Sequence, residues 1–274
     1  MKKLLILFVM LPLWLFAYSD NDLDGVDDKD DLCPNTSLIE IVDDTGCTIE
    51  YLTAPDKSAS YDVVFGVGYA KNSSSSQESK TNTQSLQIDY FYKKFSLQLQ
   101  TSHFSTSSKS YDNSGMSDSY LGLYYRMGLS EKLKANFGVR LNIPTYKSNL
   151  DNNNLDYTLS ASFNYRLEKF TLLCGLGYTI VNDDDIDNEL YKLKYQNTFN
   201  YHIGLGYYVL PRLYANISYT NSKSIYAGDE DLTSASFYGH YSFDEHWFST
   251  ISYSKGLSDT TSDYTSSLRI GYYF

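Results

Sequence analysis

Long apolar runs are nearly absent from this chain. After Phe16 no stretch is long and apolar enough to cross a bilayer as a helix, which takes about 20 residues. That excludes helical spans beyond the N-terminus. Positive charge is scarce as well: 22 Lys and Arg stand against 33 Asp and Glu, a formal net charge of −11. Phosphate contacts need basic patches, so nucleic acid is not an expected partner. Cysteine is sparse, with Cys33 and Cys47 close together and Cys174 alone. Export makes a Cys33–Cys47 disulfide the expected state in an oxidising compartment. Cys174 shares its parity with Leu172 and Leu176 and reads as a small outward apolar residue, not a nucleophile.

What is present begins with an export signal. Lys2 and Lys3 precede an apolar core from Leu4 to Phe16, and Ala17 is a small residue at a plausible cleavage position. The run is too short to anchor, and Asp20 and Asp22 follow almost at once, so residues 1–17 are expected to be a signal peptide. Its removal takes two lysines and no acid, leaving the exported chain more acidic still.

Residues 18–50 form an acidic segment. Counting from Asp20, oxygen-bearing side chains stand at positions 1, 3, 5, 9 and 12 (Asp20, Asp22, Asp24, Asp28, Asp31), with Gly25 at position 6. A short loop wraps a hard cation with this spacing, because alternating carboxylates turn inward and Gly allows the sharp bend. Val26, at position 7, offers a backbone carbonyl. The expected ligand is calcium, since every donor is oxygen. The alternative is a solvated acidic linker, the usual fate of an acid run. The segment closely resembles a thrombospondin type 3 repeat of OmpA-related outer-membrane proteins, and the likeness continues through Cys33-Pro34 and Gly46-Cys47. In relatives such a repeat usually links a barrel to a peptidoglycan-binding domain; here it precedes the expected barrel. Residues 51–60 read as a linker.

From Tyr61 to Phe274 the pattern is alternation. Twelve segments with period-two patterning are expected, near 61–71, 83–92, 95–104, 117–127, 133–143, 155–166, 170–180, 194–208, 212–222, 232–242, 247–256 and 264–274. Each has the length of a tilted membrane-spanning strand, and an even number suits a closed single-chain barrel. Ten strands is the alternative if weak segments such as 247–256 fail. The connections alternate too. Short turns are expected at 93–94, 128–132, 167–169, 210–211 and 243–246, and longer polar loops at 72–82, 105–116, 144–154, 181–193, 223–231 and 257–263. Short periplasmic turns and long extracellular loops give this rhythm, which puts both barrel ends and the acidic segment in the periplasm. The 28 tyrosines suit aromatic girdles at two membrane interfaces. The fold expected is therefore an all-β, antiparallel, up-and-down transmembrane barrel preceded by a small loop-rich segment. The last strand, ending Gly271-Tyr272-Tyr273-Phe274, resembles the C-terminal strand of bacterial outer-membrane proteins. That resemblance implies that Phe274 presents the strand to the barrel assembly machinery. Outer-membrane lipids and lipopolysaccharide are the other expected partners.

By parity Arg126, Arg140, Arg166, Arg212 and Arg269 point into the lumen, with Lys134, Asp62, Asp89, His202 and His240. Charges avoid lipid in any barrel, so this alone does not establish a pore. His103 and Ser105 have the spacing found in outer-membrane phospholipase A, but Ser105 lacks the Asn-Gly-Arg that follows it in that family, and the pair falls early in the chain. No omptin-like group of acids and histidine stands out. The expectation is a non-enzymatic barrel, either a narrow channel or a structural one. A lipid hydrolase or a loop-mediated adhesion barrel is the alternative.

Overall fold

The computed structural model describes residues 26, 31–33, 59–74, 77–146, 154–187 and 192–274. The chain divides into two compact units, Met1–Asp56 and Lys57–Phe274. The second is all strand: β1 Ala59–Ser74, β2 Gln77–Tyr92, β3 Phe95–Ser108, β4 Asp112–Met116, β5 Ser119–Gly128, β6 Leu133–Ile143, β7 Asp156–Leu167, β8 Phe170–Ile180, β9 Ile186–Asp187, β10 Lys192–Leu193, β11 Thr198–Leu210, β12 Leu213–Ser222, β13 Leu232–Ser242, β14 Trp247–Gly256 and β15 Tyr264–Tyr273.

Each long strand pairs antiparallel with its neighbours, and β1 pairs with β15 over Asp62↔Tyr273 to Lys71↔Tyr264. That pairing closes a twelve-stranded barrel and removes every free edge from it. β4 continues the ladder on β3 outside the ring, and β9 with β10 makes a separate hairpin. Segment 247–256 is a full strand, so the ten-stranded alternative falls.

The barrel is apolar outside and polar inside. Among the described residues the buried apolar side chains are Val64, Ala135 and Phe248, while Ile217, Leu159, Ile203, Ile251 and Leu268 are each more than half exposed. A soluble sandwich hides its apolar face; this fold turns that face outward. Aromatic rings cluster at two levels of the outer wall. One belt includes Phe95–Tyr125, Phe170–Tyr207 and Tyr241–Phe243, and the other Tyr69–Tyr264 and Tyr201–Tyr219. Amphipathic rings of this kind settle at membrane interfaces.

Two expected loops are corrected. The hairpin β1–β2 pairs without a break from Ala59↔Tyr92 to Ser74↔Gln77, so most of 72–82 is strand. Part of 105–116 is likewise strand, as β3 runs to Ser108 and β4 pairs with it. Beyond the lipid no side chain needs to be apolar, so composition reads as loop while the backbone ladder continues. Lys71 and Lys80 both bridge Glu78 there, at 3.1 and 3.2 Å. Two tight turns at the opposite end place Lys93 and Glu168 at φ of 53° and 49°, the left-handed conformation that closes a two-residue hairpin.

Candidate functional site

The candidate functional surface is the inner wall. It has three regions of different chemistry, and the strand parity assigns each.

The first region lies on β15, β1, β2 and β3. Asp62 and Asp89 face each other across the β1–β2 ladder, both nearly covered. Asp89 accepts hydrogen bonds from the side-chain amides of Gln87 and, at 2.8 Å, Gln98. Arg269 Nη2 donates to Gln87 Oε1 at 2.6 Å, reaching from β15 across β1 to β2. Gly66 makes that crossing feasible: a Cβ there would lie 2.6 Å from Ser85 Oγ and 3.0 Å from Arg269 Cγ. Asp62 Oδ1 and Arg269 Nε are buried without a hydrogen-bond partner.

The second region is basic and lies on β5, β6 and β7. Arg126 stands opposite Asn136, and Lys134 opposite Asn164. Arg126, Lys134 and Arg166 are therefore successive diagonal neighbours on the inner face, about 7–8 Å apart by the geometry of such pairs. Arg140 lies further up the wall with its guanidinium 4.8 Å from the centre of the Tyr120 ring, a cation–π contact.

The third region is aromatic and lies on β11 to β15. Tyr208 packs on Tyr214 at 5.1 Å, His240 on Phe248 at 5.3 Å, and Phe248 on Tyr273 at 4.5 Å. Glycines on neighbouring strands hold several inner rings flat on the wall. A Cβ at Gly271 would fall 2.1 Å from the Phe248 ring, one at Gly206 2.0 Å from Tyr214 Oη, and one at Gly138 2.5 Å from the Tyr124 ring.

Arg126, Arg140, Arg166 and Arg269 thus occupy the inner wall. Arg212 sits at the short-turn rim, in the turn before β12, exposed, with Nη1 donating to the Phe243 carbonyl of the next turn at 2.9 Å. Strand β12 begins at Leu213, one residue later than expected. His103 and Ser105 both face outward from β3, and among the described residues no hydrogen bond joins them. Cys174 faces outward and is a free thiol. A shallow depression of about 640 Å³ on the outer wall is lined by Leu172, Ile203, Ile217, Phe237 and Tyr253, and belongs to the lipid-facing surface.

Phe274 seals the seam. Its amide donates to the Tyr61 carbonyl at 2.9 Å, and its ring stacks on Tyr61 with centroids 4.5 Å apart. Tyr272 meets it edge-on at 4.7 Å and Trp247 meets Tyr272 at 4.9 Å. The terminal aromatic therefore clasps β1 to β15, a contact that the sequence pattern did not reveal.

Of the cation-loop residues, Asp20, Asp22, Asp24 and Asp28 lie outside the described residues, as do Cys47, the signal peptide and most of the linker. Asp31 accepts the Cys33 amide on Oδ1 at 2.8 Å, a local turn that leaves its second oxygen for another partner.

Residues 53–274 match the family described as "Putative MetA-pathway of phenol degradation". No curated protein matches the chain. Among solved structures it is similar to the NanC porin, with 12% identity over 78% of this chain and 98% of that one and a TM-score of 0.52. It is also similar to the translocator domain of the autotransporter NalP from Neisseria meningitidis, with 12% identity over 79% and 88% and a TM-score of 0.48. The CymD monoaromatic hydrocarbon channel gives 11% identity over 78% and 87% and a TM-score of 0.48. The NanC likeness bears on the fold alone, a closed antiparallel β-barrel.

Proposed function

The chain belongs to the family described as "Putative MetA-pathway of phenol degradation", and from that premise we propose that it is a passive outer-membrane channel for small solutes, small aromatic compounds among them. One observation carries the reading: outside its aromatic region the inner wall is polar, from Gln87, Gln98 and Asn136 to Thr158, Ser218 and Ser252. A wall of hydroxyls and amides holds water, and a water-filled lumen conducts. The rings folded flat against glycines clear space for it. The link to phenol breakdown enters through the family's description, and a barrel serves such a pathway by admission. The experiment is planar-bilayer conductance of the refolded chain, paired with phenol uptake into vesicles. Discrete current steps are expected; silence from protein that is demonstrably folded, shown by altered gel mobility before boiling, sinks the reading.

The short-turn end is read as periplasmic, with the acidic segment on that side. There Asp20, Asp22, Asp24, Asp28 and Asp31, with the Val26 carbonyl, form an all-oxygen set that suits calcium, and a Cys33–Cys47 disulfide staples a segment with little apolar core. Phe274 presents the last strand to the assembly machinery before it closes the seam. Calorimetry on the full chain, with and without Asp22→Asn and Asp24→Asn, tests the cation loop. Calcium heat is expected in the parent and lost in the double variant; no heat in the parent leaves a plain acidic linker.

A further inference from the structure

The charges on the inner wall are not evenly placed. The whole protein is strongly acidic, at −11. Most of that excess lies in residues 1–56, with three Lys against twelve Asp and Glu; residues 57–274 hold 19 Lys and Arg against 21 Asp and Glu and are close to neutral. The inner positions hold Arg126, Lys134, Arg140, Arg166 and Arg269 against Asp62, Asp89 and, at the long-loop rim, Asp118 and Asp156. The need to keep charge out of lipid explains why these groups face inward. It does not explain where along the wall each sign falls, because acids avoid lipid for the same reason.

On β15, β1 and β2 the two signs share one cluster, whereas the three cations of the short-turn end stand apart from it. Asp89 is held by Gln87 and Gln98, and Arg269 reaches Gln87 instead of a carboxylate. Arg126, Lys134 and Arg166 lie on other strands, β5 to β7, and among the described residues none of the three pairs with an acid. None of their cross-strand neighbours is an acid: Asn136 and Lys94 flank Arg126, Asn164 and Gly128 flank Lys134, and Thr171 and Lys132 flank Arg166. Three cations about 7–8 Å apart with no internal counter-charge repel one another. A small anion passing between them relieves that repulsion, and two guanidinium groups offer it forked donors. Tyr124 lies flat on the same wall against Gly138, so a ring face stands beside the stripe.

Resting on the channel reading above, we propose that Arg126, Lys134 and Arg166 form an anion-selecting stripe at the short-turn end of the lumen, suited to small organic carboxylates. The stripe makes the pore prefer anions although the protein as a whole is acidic.

The test is the reversal potential of the refolded full chain in planar bilayers across a salt gradient, first potassium chloride and then potassium benzoate. In both salts the sign expected is that of an anion-preferring pore. Arg126→Gln, Lys134→Gln and Arg166→Gln together should lower the anion-to-cation permeability ratio several-fold. The charge-keeping pair Arg126→Lys and Arg166→Lys should leave its sign unchanged. A conducting parent that prefers potassium, or a triple variant that folds and conducts with an unchanged ratio, overturns the stripe and leaves the channel standing. Chloride preference without benzoate permeation overturns the organic-carboxylate assignment. If the triple variant fails to fold, the parent's reversal potential decides alone. Absence of any conductance from folded protein overturns the channel reading and the stripe with it.

Discussion

The outer and inner walls of this barrel are made by the same strands, one residue apart, and they obey different rules. On the outside Ile217 is 62% exposed, yet it is in its proper place, because lipid is its solvent. On the inside the adjacent Ser218 faces Gly204 and Ser236, and its solvent is water. Exposure therefore has two meanings in one molecule, and burial does not identify a core. Lipid imposes a narrow rule on the outer wall: the side chain must be apolar, or aromatic at the interfaces. Water imposes almost none on the inner wall, which leaves those positions free to carry chemistry.

The sharpest way to break that contrast is to put the same charge on each wall. Ile217→Arg sets a guanidinium into the hydrocarbon, and near the membrane midplane this should cost about 2–4 kcal/mol. Ser218→Arg sets it into the lumen among small neighbours, and the change should stay within about 1 kcal/mol, as for other solvent-facing substitutions. Reversible unfolding by denaturant in lipid vesicles measures both. Equal costs at the two positions would mean that the walls do not face different solvents.

A middle-sized effect tests what holds the inner rings in place. Gly271→Ala puts a methyl group where the Phe248 ring now lies, 2.1 Å from its Cζ. The ring cannot stay on the wall. Overpacking of this kind costs about 1–3 kcal/mol, and the displaced ring should also narrow the bore. Gly271→Ala combined with Phe248→Ala should recover part of the stability and most of the conductance. If Gly271→Ala alone changes neither, glycine is not what keeps the rings flat.

The difference between the walls also explains how much was readable beforehand. The strict outer rule made the strands visible: segments 133–143, 170–180, 232–242 and 247–256 are strands at those bounds. Outside the lipid the rule lapses, so the upper parts of β1, β2 and β3 read as loop although their pairing continues. On the inner wall, parity placed Arg126, Arg140, Arg166 and Arg269 correctly. Arg212 lies one residue before the first residue of β12, in the turn, where its side chain bonds the Phe243 carbonyl. The Arg269–Gln87 bond, the rings seated on glycines and the Phe274–Tyr61 clasp all join residues on different strands. Alternation within a strand carries no information about them; they depend on register, which closure of the barrel sets.

The smallest effect belongs to neither wall and shows where their contrast ends. At the short-turn end Asp244 Oδ1 accepts the amides of Trp247 at 2.6 Å and His246 at 2.8 Å, the arrangement of an Asx turn. Those two bonds, that to Trp247 foremost, hold the Asp244 carboxyl below the usual carboxylate range. The folded pKa is depressed, so the carboxylate's contribution to stability is present above the unfolded value and is lost as pH falls through the folded one. The group is exposed and screened, so the contribution is small. The turn still matters to the seam, because the His246 carbonyl accepts the Tyr273 amide at 2.8 Å and the His246 ring stacks on Tyr272. Asp244→Ala should lower stability slightly at neutral pH and flatten its decline in acid. Asp244→Asn keeps an acceptor oxygen and should fall between the two at neutral pH, with the same flattening. The measurement is the denaturant midpoint of each protein at neutral pH and again below the usual carboxylate pKa. An acid decline as steep in Asp244→Ala as in the parent would show that this turn contributes nothing that titrates, and that other carboxylates set the acid limit of the barrel.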